Sequence, residues 1–222
     1  MKARVQKTVR KPSQAGPRKA RAPKRMTGEE RSRQIVRVAA GLFANKGFKG
    51  TTTREIARKA GISEAVIFKH FSCKEDLYKA IIDLCCADHT GQSRLMAGLH
   101  GKHGREVFLS VAEFLLDEHE NDPTFLRLFT YSALEQQSLS ELFIQTMGAQ
   151  LLEFLEGHIR ELAAKGAFKA ADPAICARAF LGMVIHFVMA QELYGFKRRF
   201  TRPNKQVAET FVDIFFEGMR RR

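Results

Sequence analysis

From Thr27 almost to the end of the chain, apolar residues recur at helical spacing, and no segment alternates apolar and polar residues between hairpin turns. That pattern restricts the chain to an all-α fold. Ile35, Val38, Ala39, Leu42 and Phe43 form the first such set, with Gly47 as its stop signal. Thr27 and Glu30 have the spacing of a capping box at its start. Gly61 separates two short helices. A longer one is expected from Lys74 into the nineties, and Gly91, Gly98, Gly101 and Gly104 loosen the chain before Arg105. Further helices are expected at about 105–119, 123–135, 138–165, 173–195 and 203–220, about nine in all. Asp122-Pro123 and Asp172-Pro173 each read as an N-cap followed by proline at the first helical position.

The segment around Gly61 carries the most specific local chemistry. Thr52 and Glu55 have capping-box spacing, so a helix is expected from Thr53 to Ala60 with Ile56, Ala57 and Ala60 buried. Gly61 supplies a turn at positive φ. Ser63 is expected to cap the next helix, with Ile62 and Ile67 at the ends of a hydrophobic staple. Val66, Ile67 and Phe71 then point inward, leaving Glu64, Ala65, Phe68, Lys69 and His70 outward. Two short helices across a glycine turn are the geometry that lays a helix in the major groove, although ordinary helix bundles use it too.

The net charge of +13 is unevenly placed: residues 1–28 hold ten Lys or Arg and no acid, and the other 194 residues hold 27 basic and 24 acidic side chains. Residues 1–26 read as a disordered basic tail, either a solvated leader or an accessory contact to a polyanion. No run of 18 apolar residues suggests a membrane span, and no apolar stretch follows the N-terminal charges, so a cytoplasmic location and no membrane partner are expected. The four cysteines (Cys73, Cys85, Cys86 and Cys176) form no C-x-x-C pair, and free thiols are expected. No catalytic motif of the G-x-S-x-G, phosphate-loop or H-E-x-x-H kind is present, so no enzyme, cofactor or bound metal is expected.

The stretch R-Q-I-V-R-V-A-A-G-L-F-A-N-K-G-F-K-G-T-T-T-R-E-I-A-R-K-A-G-I-S-E-A-V-I-F-K-H-F-S-C-K-E-D-L-Y resembles the DNA-binding domain of the tetracycline-repressor (TetR) family, without a gap over about 33–80. The resemblance implies a helix-turn-helix domain over 27–80 and an effector-binding and dimerisation domain over 81–222. It implies a homodimer on a palindromic operator in double-stranded DNA, repressing transcription until a small apolar effector releases it. Thr51, Thr53 and Ser63 would bond phosphates, Ala65 would allow close approach, Lys69 and His70 would face the groove or its phosphates, and Lys74 would be a phosphate-binding lysine. Arg54 would reach a base edge. Two positions depart from the family pattern. Phe68 stands where tyrosine is usual and lacks the phosphate-binding hydroxyl; it either packs on thymine methyls or tucks into the domain. Glu64 is acidic at the first helical position; it either accepts from a cytosine amine or only favours the helix dipole.

Fourteen of the 18 phenylalanines follow residue 100. Phe108, Phe114, Phe129, Phe143 and Phe187, with Met147 and Met183, are candidates to line an effector cavity, or equally to fill a dry core. His119 and His186 are the polar candidates there, His186 because it interrupts the run L-G-M-V-I-H-F-V-M-A. On the last two helices Phe180, Val184, Phe187, Gln191, Tyr194, Phe211, Phe215 and Met219 are expected to form the dimer interface, burial within one chain being the alternative. Two other readings stay open: a nonspecific architectural DNA-binding protein, and a thiol- or metal-responsive regulator using Cys85, Cys86 and His89.

Overall fold

The computed structural model describes residues 26–87, 90–135, 141 and 148–221. Among them are ten α-helices: α1 (Gly28–Lys46), α2 (Thr53–Ala60), α3 (Glu64–Phe68), α4 (Lys74–Ala87), α5 (Thr90–Leu99), α6 (Arg105–Asn121), α7 (Thr124–Glu135), α8 (Ala149–Ala164), α9 (Pro173–Glu192) and α10 (Asn204–Met219). A short 3-10 turn, Phe196–Arg198, joins the last two. The basic tail lies outside the described residues.

Several helix starts follow the capping chemistry of the sequence. The Glu30 amide donates to the Thr27 hydroxyl at 3.2 Å, and the Thr27 amide donates to the Glu30 carboxylate at 2.7 Å. The Asp172 carboxylate accepts from the Ala174 amide at 2.9 Å, with Pro173 opening α9. The expected helix from Lys74 into the nineties is described as α4 and α5, with residues 88–89 between them outside the described ones, and Gly91 and Gly98 lie inside α5 rather than in a loop. Glycine weakens a helix interior by only about 1 kcal/mol. Burial of Leu95 and Leu99 against the large core outweighs that.

Two apolar cores form. Ile35, Val36, Ala39, Leu42, Phe43, Ile56, Ile67, Leu77 and Ile81 build the smaller one from α1–α4. The larger draws on α5, α6, α8, α9 and α10, with the rings of Phe108, Phe180 and Phe215 packed against one another at its centre. The helix α7 serves both. Leu126 is buried in the larger core and Leu128, two residues on, in the smaller. Residues two apart on a helix point about 200° from one another, so α7 lies between the cores as a shared wall.

Candidate nucleic-acid interface

The α2–α3 turn is closed by backbone geometry. Gly61 is left-handed (φ 68°, ψ 34°). The Ile62 amide donates to the Ala57 carbonyl at 3.0 Å and the Gly61 amide to the Arg58 carbonyl at 3.3 Å, which satisfies the last carbonyls of α2. A Cβ at 61 would meet open space, so glycine is required by its φ alone. Ser63 does not cap α3 with its side chain as expected; its backbone is extended and its carbonyl accepts from the Val66 amide at 3.0 Å.

In α3 and the turn that follows it, Ile67 and Phe71 are buried, while Ala65, Phe68, Lys69 and His70 are exposed on one side. Phe68 keeps 49% of its surface in solvent. It does not tuck into the domain. A large ring left in water on a helix of five residues is costly unless something covers it. Glu64 has a partner that the sequence did not suggest: its carboxylate accepts from the Thr53 hydroxyl at 2.7 Å, joining the starts of α2 and α3.

Thr51 departs from its expected role. It is fully buried, and its hydroxyl donates to the Gly47 carbonyl at 2.9 Å, so it stabilises the turn before α2 instead of facing phosphate. Arg54 is exposed as expected. Arg58, not singled out from sequence, is also exposed and shares with Arg54, Thr52 and Glu64 the rim of an open groove. The signal was available: four residues apart on a helix places both arginines on one face. Lys46 pairs with Glu55, and that bond lowers the Glu55 pKa.

Lys74 opens α4, where the Asp76 amide donates to the Cys73 sulfur at 3.4 Å. Its ammonium lies 4.1 Å from the centre of the Phe48 ring and 6.0 Å from that of Phe43. Burial against these rings pushes the Lys74 pKa down, while Glu75 and Glu135 push it up. The expected free cation is thus partly packed into the domain.

The expected effector site is assembled only in part. Phe108 is dry core, edge-to-face with Phe180 at 5.0 Å. His186 is exposed on α9 because the apolar run around it belongs to a helix with two apolar faces. His119 is buried, burial pushes its pKa down, and its Nδ1 has no hydrogen-bond partner. Phe114, Phe129 and Met183 are half-buried. Phe187 and Gln191, with Leu116 and Val188, line a cavity of about 30 Å³, large enough for a water-sized group. The Gln191 Oε1 is buried there without a partner. Phe143, Met147 and His89 lie outside the described residues, as do the side chains of Cys85 and Cys86. Among the described residues no three of His, Cys, Asp and Glu group as metal ligands would.

Most of the residues expected at the dimer face pack within the chain. Phe180, Val184, Phe215 and Met219 are buried within the chain, and Phe187, Gln191 and Phe211 are half-buried. Only Tyr194 of that set is exposed, at 56%. The outward stripe of α9 is Ile175, Ala179, Gly182 and His186, at helical spacing, with Ile214 exposed on α10. By length and composition α9 could cross a membrane: 20 residues, with a mean hydropathy of 1.7 over its most apolar window. The core helix of a soluble protein passes the same test, and Ala177, Phe180, Val184 and Val188 on the inner face of α9 are buried in the larger core.

Residues 35–81 match the bacterial regulatory proteins of the tetR family, and residues 106–218 match the C-terminal domain of AefR-like transcriptional repressors. The chain is 24% identical over 191 residues to YvkB of Bacillus subtilis (strain 168), an uncharacterized HTH-type transcriptional regulator, covering 85% of this chain and 96% of that one. AibR, in its complex with isovaleryl coenzyme A and operator DNA, shares the fold with a TM-score of 0.65 at 23% identity, over 84% of this chain and 98% of AibR. The fatty acid degradation regulator FadR of Bacillus halodurans does so with a TM-score of 0.63 at 17% identity, over 86% and 97%.

Proposed function

This chain belongs to the TetR family of DNA-binding transcriptional regulators, and on that premise we propose that it is a repressor which binds a palindromic operator as a dimer and is released by a small apolar effector. One observation carries the reading. Ala65, Phe68, Lys69 and His70 all face solvent from α3 while Ile67 and Phe71 anchor it from behind. A short helix held rigidly by its inner face, with an exposed cationic and aromatic outer face, suits the major groove. Ala65 admits close approach, Phe68 packs on thymine methyls, and Lys69 and His70 bond bases or phosphates. Arg54 and Arg58 flank them, Ser63 offers an uncommitted hydroxyl to phosphate, and the basic tail adds affinity without sequence preference.

Two such faces on a two-fold dimer read two half-sites about one helical turn apart or more. The outward α9 stripe is the surface that would pair them. The effector class to try first is a short acyl-CoA, whose acyl chain is the apolar part while its coenzyme A moiety is polyanionic, because AibR, of the same fold, was captured with isovaleryl coenzyme A. An effector that prefers the DNA-free state by about 1–3 kcal/mol weakens operator binding five- to 150-fold.

Selection of bound duplexes from a random library by the full chain should enrich an inverted repeat. Equal affinity for the recovered sequence and random duplex would favour the architectural reading instead. An acyl-CoA series is then titrated into the protein–operator complex. A ligand that raises the melting temperature yet leaves operator affinity unchanged would refute the release mechanism.

A further inference from the structure

The turn that leads from α1 into the helix-turn-helix is gripped from the other domain. Glu135, the last residue of α7, accepts the Phe48 amide at 2.8 Å, and the Lys49 amide lies 3.4 Å from each carboxylate oxygen. Tyr131, one turn earlier, donates its hydroxyl to the Asn45 carbonyl at 3.3 Å. The fit is close: a Cβ on Gly47, which already has φ 72°, would meet Glu135 Oε1 at 2.4 Å and Tyr131 Cδ1 at 2.9 Å. From the DNA-binding side, buried Thr51 bonds the same Gly47. The turn is therefore held at both edges, and the carboxylate that holds its outer edge lies on the helix shared by both cores.

The same turn carries the Phe48 ring. Phe43 and Tyr78 pack that ring at 5.6 and 5.0 Å, and the Lys74 ammonium lies over it. Against the burial that lowers the Lys74 pKa, the Glu135 carboxylate acts, after Glu75, to raise it, and its hydrogen bond to the Phe48 amide fixes the turn that carries the ring beneath Lys74. An ammonium attracted to an aromatic face and a nearby carboxylate is withdrawn from other anions by the same energy.

We propose that Glu135 is a positioning residue for DNA binding: it fixes the 47–49 turn and holds the Lys74 ammonium over Phe48, in competition with a DNA phosphate. Displacement of the α7 terminus by events in the larger core would then alter how readily Lys74 reaches the duplex. This rests on the reading of Lys74 as a phosphate-binding residue.

The test uses the full chain as wild type, Glu135→Gln, Lys74→Ala and the double variant, each titrated against a fluorescent random-sequence duplex over a series of salt concentrations. Glutamine keeps an acceptor for the Phe48 amide and removes only the charge. Glu135→Gln should bind several-fold more tightly, with a salt slope steeper by up to about 0.9 as Lys74 joins the phosphate contacts. In the Lys74→Ala background the same change should give only the smaller gain expected from losing one negative charge. Equal effects of Glu135→Gln in the two backgrounds would overturn the link. If Lys74→Ala in the Glu135→Gln background leaves affinity and slope unchanged, Lys74 is not on phosphate and the inference falls with it, while operator selection still judges the broader function. As a check on the turn, Glu135→Ala should lower the melting temperature and Glu135→Gln should not; a loss with both would assign Glu135 a structural role alone.

Discussion

Leu128 gives the sharpest test of the shared wall. It lies on α7, far along the chain from α1–α4, yet it is 1% exposed inside their core. Leu128→Ala removes a side chain enclosed between α1 and α7, where neither helix can close the gap without moving the other core. Buried Leu→Ala changes cost about 3–4 kcal/mol when the site cannot collapse. At roughly 2–4 °C per kcal/mol for a chain of this size, the melting temperature should fall by roughly 6–16 °C. Leu134→Ala, on the same helix but 76% exposed, should stay within about 0.5 kcal/mol of wild type. Calorimetry measures both. Amide hydrogen exchange locates the damage, which should appear in α1 and α4. A melting temperature for Leu128→Ala equal to that of Leu134→Ala, or exchange raised in α9 and α10 but not in α1, would refute the shared-wall argument.

Other changes probe separate surfaces. Ile175→Glu, on the outward α9 stripe, should shift the protein toward monomer in sedimentation while its helical circular dichroism is kept; Val184→Glu, buried on the opposite face, should unfold the domain. Replacing operator thymines by uracil should weaken wild type by about 1 kcal/mol for a methyl packed on Phe68, and should leave Phe68→Ala unaffected; equal losses in both would remove Phe68 from base contact. His119 has its pKa lowered from 6.5 by burial, so the unfolded chain takes up a proton first. Its contribution to stability is present above about pH 6.5 and is lost as the pH falls below it; His119→Leu should flatten that part of a melting-temperature profile, and an unchanged slope would contradict the burial effect.

Much of the local structure was legible because it depends on a few neighbouring residues. The capping box at Thr27, the left-handed Gly61 and the Asp172-Pro173 start are each fixed by short-range chemistry. The outward set Ala65, Phe68, Lys69 and His70 followed from helical spacing once Ile67 was placed inside. What sequence could not assign was partnership. Leu128 reads as apolar, but nothing local says which core it enters. Helix α9 is apolar nearly all round, so its sequence does not tell the inner stripe from the outer one. Thr51 reads as a free hydroxyl until the fold turns it back onto Gly47, and Lys74 reads as a free cation until Phe48 comes beneath it.

If the outward stripe of α9 pairs two copies, as proposed, copy number becomes part of this chain's chemistry. At about 1 nM protein, two copies that spend half their time together need a pairing free energy of about −12 kcal/mol. Charged surface would not supply that, because exposed ion pairs contribute so little; the exposed run of Ile175, Ala179, Gly182 and His186 is where apolar area remains to be covered. On the proposed dimer reading, dilution below that threshold would uncover the outward stripe of α9 alone, since Ala177, Phe180, Val184 and Val188 on its inner face stay packed in the larger core.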